Sequence, residues 1–228
     1  MGGHTKSTSN IATSGTYQTT YNAGTDGFIV KFNVTGTRMW ATYFGGSGTD
    51  VIDGVRIDKE DTARIYICGT TTSTSGIATS GASSVTHGGG STDGFVARLN
   101  KTGQIVWATY LGGSAADSAK TMTIDYDNNI YVGGYTASSA SIATSGAHQT
   151  SFGGGTSDGF IIKYDSSGNK IWGTYYGGSG VDVINALDVD IAGNVLMAGA
   201  TTSTAGIATT GTQQTSLNSG YDFMVAKF

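Results

Sequence analysis

The chain has 228 residues, of which 37 are glycine and none is proline, and its formal net charge at pH 7 is −4. Charged residues make up 12% of the chain, about half the usual share, and Lys and Arg form no cluster, which argues against a nucleic-acid-binding surface. No apolar run approaches the roughly 20 residues of a membrane span. The single Cys68 excludes an intrachain disulfide framework and a cysteine-based zinc site, and we interpret it as a small buried strand residue.

The first 25 residues begin in the middle of a repeat. The stretch HTKSTSNIATSGTYQT at 4–19 parallels TTTSTSGIATSGASSV at 70–85, and shorter versions recur near 141 and 206. This Ser/Thr/Gly-rich stretch predicts a long surface loop that is pinned by its isoleucine. No charged and then apolar leader precedes it, so the chain is either cytosolic or lacks its leader. The four copies are marked by Gly15, Gly81, Gly146 and Gly211.

A hairpin follows each of the first three loops. DGFIVKFNVTGTRMWATYFGG at 26–46 returns as DGFVARLNKTGQIVWATYLGG at 93–113 and as DGFIIKYDSSGNKIWGTYYGG at 158–178. The β-branched and aromatic residues on either side of NVTG, NKTG or DSSG predict two antiparallel strands joined by a turn. The opening of the pattern returns once more as DFMVAKF at 222–228. The marker residues are Asp26, Asp93, Asp158 and Asp222, with Trp40, Trp107 and Trp172.

Two further strands complete each repeat. The segment after the GG pair, SGTDVIDGVRID in its first copy, predicts a third strand, and IYICGTTTS, IYVGGYTAS and VLMAGATTS predict a fourth. KEDTAR, YDNN and IAGN predict the turns between them. No segment has helical periodicity.

Four short antiparallel strands at a fixed period of about 65 residues are the signature of a β-propeller blade. We therefore predict an all-β chain of about 3.5 blades. Residues 1–48 would form a partial blade, 49–113 and 114–178 full blades, and 179–228 a second partial blade.

The repeated motifs resemble the seven-bladed β-propeller (SBBP) repeat family of secreted and cell-surface bacterial proteins. The resemblance is carried by the D-G-F-[IV]-x-[KR] strand, the W-[AG]-T-Y-x-G-G strand and GNVLMAG at 193–199, and IATSGAHQT looks like the loop common in Bacteroidetes-type proteins. It covers essentially the whole chain. It implies a propeller with an extracellular or cell-surface location, and it supplies no catalytic residue.

A closed ring needs at least about four blades, so the resemblance and the blade count together predict an open arc. Such an arc is either a piece of a longer array or half of a two-chain ring. Its exposed edge strands and apolar blade faces favour self-association or packing on adjacent blades of a longer chain.

Acidic residues just before the third strand of the repeat suggest a metal hypothesis. In a closed propeller they would line one mouth of the channel, where several carboxylates could hold Ca²⁺. The favoured alternative is that each side chain caps the backbone of the GG turn. The Asp26 series has the same structural interpretation, tying a loop to a strand. The candidate metal residues are Asp50, Asp117 and Asp182.

The repeated aromatic residues admit two interpretations. T-G-x-x-x-W at 35–40 and 102–107 resembles the tryptophan-docking repeat of quinoprotein dehydrogenases, in which the motif locks neighbouring blades together. The tyrosines of the same strand could form shallow sugar sites between blades, although blade packing is favoured. The histidines at 4, 87 and 148 share no repeat position and suggest no metal or catalytic set. The candidate ligand-binding tyrosines are Tyr43, Tyr110 and Tyr175.

These patterns favour a non-enzymatic extracellular module that acts as a scaffold or an adhesin through its loops, with a protein or glycan ligand and no cofactor. A glycan-binding propeller lectin is the first alternative, and a propeller hydrolase or quinoprotein-like enzyme is the second. An enzyme needs polar residues that break the repeat and converge in one place, and the visible departures are small and scattered.

Overall fold

The computed structural model describes residues 1–58 and 63–228, and these residues form four antiparallel sheets and no helix. The described part of the chain therefore offers no helix that could cross a bilayer. Residues 59–62 of the predicted KEDTAR turn lie outside the described residues. The all-β class and the propeller-type blades predicted from the sequence are confirmed.

The first two sheets hold seven strands. The first sheet has the order β1-β2-β3 and the second has the order β4-β5-β6-β7, so that chain order and spatial order coincide. The strands are β1 (Gly2–Thr5), β2 (Asp26–Phe32), β3 (Arg38–Phe44), β4 (Asp50–Ile57), β5 (Ile65–Thr71), β6 (Asp93–Leu99) and β7 (Ile105–Leu111).

The third and fourth sheets repeat the meander. The third has the order β8-β9-β10-β11 and the fourth has β12-β13-β14. In register, β1 corresponds to β5, because Thr5 pairs with Asp26 as Thr71 pairs with Asp93. The strands are β8 (Asp117–Ile124), β9 (Ile130–Thr136), β10 (Asp158–Tyr164), β11 (Lys170–Tyr176), β12 (Asp182–Val189), β13 (Val195–Thr201) and β14 (Asp222–Lys227).

The hydrophobic core lies between successive sheets. The first strand of each later sheet packs mainly against the first two strands of the sheet before it, and the four sheets do not close into a ring. Between the first two sheets, the rings of Phe44 and Phe95 are 4.9 Å apart. The strands β6 and β10 are buried along almost their whole length, because a sheet covers each of their faces.

The second residue of each strand that begins with the repeated aspartate (β2, β6, β10 and β14) must be glycine in three of the four sheets. A Cβ at Gly27 would lie 3.0 Å from the Ile52 side chain, and a Cβ at Gly159 would lie 2.9 Å from Ile184, both on the following sheet. Gly94 is in similarly tight contact with the third sheet. In the fourth sheet the position is held by Phe223, whose side chain is 96% exposed.

Candidate functional site

One aspartate at each junction between sheets ties the GG turn to the strand that follows it. Asp117 is completely buried, and its Oδ2 accepts hydrogen bonds from the Ser138 hydroxyl at 2.9 Å and from the Gly113 N–H at 2.8 Å. Its Oδ1 accepts a hydrogen bond from the Thr136 hydroxyl. The same three donors recur around Asp50 (Thr71, Ser73 and Gly46) and around Asp182 (Thr201, Ser203 and Gly178).

This geometry is the backbone cap that the sequence favours. Asp50, Asp117 and Asp182 serve three separate turns, and each carboxylate already accepts three hydrogen bonds. Within residues 1–58 and 63–228, no three His, Cys, Asp or Glu side chains come together as a metal site. The Ca²⁺ hypothesis therefore stays a prediction without a convergent ligand set.

A second aspartate, at the first residue of β2, β6, β10 and β14, ties the preceding loop to that strand. Oδ2 of Asp158 accepts hydrogen bonds from the Gly153 N–H at 2.6 Å and from the Gln149 amide at 3.2 Å. Asp26 accepts equivalent bonds, and so does the less buried Asp222. Oδ1 is buried without a hydrogen-bond partner in Asp26, Asp93 and Asp158.

The two aspartates of a junction face each other across a glycine. A Cβ at Gly177 would lie 2.8 Å from both Oδ1 of Asp158 and Oδ2 of Asp182. Burial raises the pKa of Asp158 to about 6, and the negative charge of Asp182 adds to the rise. Burial likewise raises the pKa of Asp93 to about 6, with a contribution from Asp117. At the second and third junctions, one carboxyl therefore keeps its proton to a higher pH than a free aspartate does.

The raised pKa of Asp158 predicts that the protein loses stability as the pH rises from 5 to 7.5. The folded-state pKa of about 6 lies above the ordinary 3.8, so the stabilisation is complete below 3.8 and is lost as the pH rises through 6. We expect about 1 to 2 kcal/mol per carboxyl, seen as a falling Tm in thermal unfolding. Asp158→Asn keeps a neutral side chain at every pH and is expected to reduce the slope.

Asp127→Asn is the matched control, because Asp127 is exposed on the β8–β9 turn and faces no second carboxylate at a junction. This variant should keep the slope of the parent protein. A Tm that rises between pH 5 and 7.5, or an unchanged slope in Asp158→Asn, would contradict the raised pKa of Asp158.

The tyrosines considered as sugar sites are packed inside the blades. Tyr43, Tyr110 and Tyr175 are at most 2% exposed. The Tyr110 hydroxyl donates to the carbonyl oxygen of Ser73 at 2.8 Å, and the other two make equivalent bonds. Burial raises the pKa of Tyr110 and of Tyr175 to about 12. These rings present no open face on which a sugar could stack, so their geometry is that of blade packing.

The tryptophans lock one sheet to the next. The Trp40 Nε1–H donates to the carbonyl oxygen of Lys101 at 2.8 Å, and the Trp107 Nε1–H donates to that of Ser166 at 3.1 Å. Each indole lies against the glycine of the next hairpin turn, Gly103 and Gly168 respectively. This is the inter-blade packing that the sequence favours.

The cysteine and the histidines serve the core and the loops. Cys68 is completely buried in β5, and burial raises the pKa of its thiol. His87 packs edge-on against Tyr110 at 5.9 Å, at the position where Phe152 packs against Tyr175, and its Nε2 lies 3.9 Å from Oδ1 of Asp93.

The long loops end in equivalent exposed tips. The backbone N–H of Thr79 donates to the Ala108 carbonyl oxygen at 2.9 Å, and Ile77 is 1% exposed, so this loop is fastened beside its tip. The glycine of each tip has φ between 78° and 85°, a conformation that favours glycine. The hydroxyl residues that precede these glycines are all exposed: Ser14, Ser80, Ser145 and Thr210.

Sequence reasoning missed a cleft of about 470 Å³ between the second and third sheets. Its lining includes Ser84, Gly112, Tyr164 and Lys170. The available signal was a break in the repeat, because Ser84 stands where the other three loops have glutamine.

Comparison with known proteins agrees with the blades. Residues 106–139, which run from β7 to just beyond β9, match the SBBP family model, described as a beta-propeller repeat. The chain is also 25% identical over 205 residues to an uncharacterized WD repeat-containing protein of Acanthamoeba polyphaga mimivirus. That alignment covers 78% of this chain and 14% of the relative. Residues 106–139 thus resemble a beta-propeller repeat, and they lie within four sheets that repeat the same strand pattern.

Proposed function

We propose that the chain is a non-enzymatic β-propeller repeat module that acts outside the cell or at its surface. Its blades would present a row of Ser/Thr-rich loops to a protein or glycan partner. The observation that carries this proposal is the set of four equivalent exposed tips, one in each copy of the loop. The buried polar groups support it, because most are engaged in hydrogen bonds that hold the blades in shape.

The tips are fastened in a way that suits display. In the first and third blades, the N–H of Thr13 donates to the Ala41 carbonyl oxygen at 2.8 Å, and the N–H of Thr144 donates to that of Gly173 at 2.9 Å. Fixing the base of each loop lowers the entropy lost when the loop binds a partner. A row of similar weak sites then gains avidity when the partner is itself repetitive.

Binding to a printed glycan array and to immobilised gelatin tests the role of the tips. The combined variant Ser14→Ala, Ser80→Ala, Ser145→Ala and Thr210→Ala is expected to lose at least about tenfold in apparent affinity, and each single variant much less, because the contacts add through avidity. Signal on glycans alone would favour the lectin alternative over a protein adhesin.

The control carries three changes on the hairpin turns, Val34→Ala, Asp127→Ala and Ile191→Ala, all at exposed residues. It should bind as the parent does. The absence of binding to either class of surface, or equal binding by the four-tip variant, would contradict the proposal.

An exposed apolar stripe on the fourth sheet suggests a surface for association. On β14 and just before it, Tyr221, Phe223 and Val225 are 66%, 96% and 75% exposed and point to one side of the strand. We propose that this apolar stripe meets a second copy or an adjacent blade, since such stripes commonly mark interaction sites. Light scattering at tens of micromolar measures the association, and a strictly monomeric mass would rule out the two-chain version.

A further inference from the structure

The cleft between the second and third sheets is the most distinctive break in the repeat. One wall contains the start of the second glycine-rich loop and the end of β7, and the other contains Ile162, Tyr164 and Lys170 of the third blade. Its volume of about 470 Å³ falls within the range of small-molecule sites, roughly 300–1,000 Å³. The tips of the proposed display surface are not part of its lining.

A missing glutamine leaves a donor unused in this cleft. At the first and third junctions, Oε1 of Gln18 accepts a hydrogen bond from the Gly45 N–H, and Oε1 of Gln149 accepts one from the Gly177 N–H, both at 3.1 Å. At the second junction the shorter Ser84 takes the place of glutamine. The corresponding N–H, that of Gly112, has no hydrogen-bond acceptor among the described residues.

A phenol replaces an apolar side chain on the opposite wall. Tyr164 occupies the position held by Phe32 and Leu99 in the first two blades. Its side chain is 2% exposed, and no described residue hydrogen-bonds its hydroxyl. Burial raises the pKa of this hydroxyl, which therefore remains a donor.

Lys170 places a positive charge at the same cleft without a carboxylate partner. Its Nζ donates to the carbonyl oxygens of Ser141 at 2.8 Å and Ile142 at 2.7 Å. No carboxylate of the described residues lies within 4.0 Å of it. Because an ammonium has three N–H donors, one remains for a ligand. Burial lowers the pKa of Lys170, which is the expected effect on a cation that lacks a counter-ion.

We propose that this cleft binds a small hydroxylated carboxylate, such as a sugar acid. The ammonium of Lys170, the N–H of Gly112 and the hydroxyl of Tyr164 are all donors, and donors recognise an anion. The buried carboxylate of Asp117 lies behind Gly112. The negative charge of Asp117 repels a doubly charged ligand more than a singly charged one. A single carboxylate is therefore a better ligand for this cleft than phosphate. Ser84 at the rim supplies a further polar contact for ligand hydroxyls.

Titration with D-glucuronate, followed by ¹H–¹⁵N NMR, tests this site. We expect a saturable shift of the Gly112 amide with glucuronate, little change with D-glucose, and weaker binding of acetate and inorganic phosphate. Lys170→Met should weaken glucuronate binding by about tenfold or more, because the charge-assisted bond is lost. Tyr164→Phe should weaken it by a smaller factor.

Two variants separate binding from folding. Ser84→Gln restores the side chain found at the other junctions, so it should abolish the shift while keeping or raising the Tm. Arg38→Met removes the equivalent tie on the first blade, where Arg38 donates to the carbonyl oxygens of Asn10 and Ile11, and should leave glucuronate binding unchanged. No saturable shift up to tens of millimolar glucuronate, or full binding by Ser84→Gln, would overturn the proposal.

Discussion

Replacement of Asp117 by alanine is expected to lower the free energy of unfolding by about 3 to 5 kcal/mol. The substitution leaves the hydroxyls of Thr136 and Ser138 and the N–H of Gly113 without their acceptor at a buried turn. Each buried unsatisfied donor costs about 1 to 3 kcal/mol, and the loss is larger when the missing acceptor is charged. Urea-induced unfolding monitored by tryptophan fluorescence measures the change, because Trp107 and Trp172 belong to the two neighbouring hairpins.

Asp127→Ala is the control for Asp117→Ala, since Asp127 is an exposed aspartate on the next turn of the same blade. It should change the unfolding free energy by less than about 0.5 kcal/mol. Asp117→Asn keeps one acceptor oxygen and should fall between the two. Equal stability of Asp117→Ala and Asp127→Ala would show that the turn does not depend on its buried carboxylate.

Trp107→Ala is expected to cost about 3 to 5 kcal/mol, the usual range for removing a large buried aromatic side chain. The indole is 7% exposed, donates to the Ser166 carbonyl oxygen, and covers the glycine of the β10–β11 turn. Its loss therefore opens a cavity between the second and third sheets and frees a turn of the neighbouring blade. Unfolding in urea should begin at a lower concentration and become less cooperative, because adjacent blades are coupled through this contact.

Trp172→Ala serves as the matched comparison. Trp172 occupies the same position of the third blade, but its indole N–H has no acceptor among residues 1–58 and 63–228, and its ring is only partly buried. The cost should be clearly smaller than for Trp107→Ala. Trp107→Phe should recover part of the packing without the hydrogen bond. Equal costs at positions 107 and 172 would contradict a role in joining blades.

Much of the fold could be predicted from the sequence, because the period of the repeat aligns residues that do the same structural work. The tryptophans of the first two hairpins, Trp40 and Trp107, dock on equivalent turns. Asp50 and Asp117, which begin β4 and β8, likewise cap equivalent turns. The repeat therefore predicted both the strand in which a residue lies and the structural role of its side chain.

The arrangement of side chains where two sheets meet could not be predicted from the repeat. Asp158 and Asp182 belong to different sheets, so their approach across Gly177 depends on how two blades pack. The cleft depends on a side chain that is absent, since Ser84 matters only because glutamine fills the equivalent space elsewhere. Strand periodicity carries no information about the approach of the two aspartates or about the cleft. Aligning the four loops does reveal the replacement of glutamine by Ser84, and so points to the cleft.

The phenylalanine at position 223 has a consequence for what can pack on the fourth sheet. A blade placed as the third sheet is placed on the second would meet the Phe223 ring where Gly94 leaves room. A neighbouring sheet must either pack farther away, by about the thickness of the Phe223 ring, or have a pocket that accommodates the ring. A single side chain thus turns a surface able to receive a copy of the preceding blade into one that discriminates by steric exclusion.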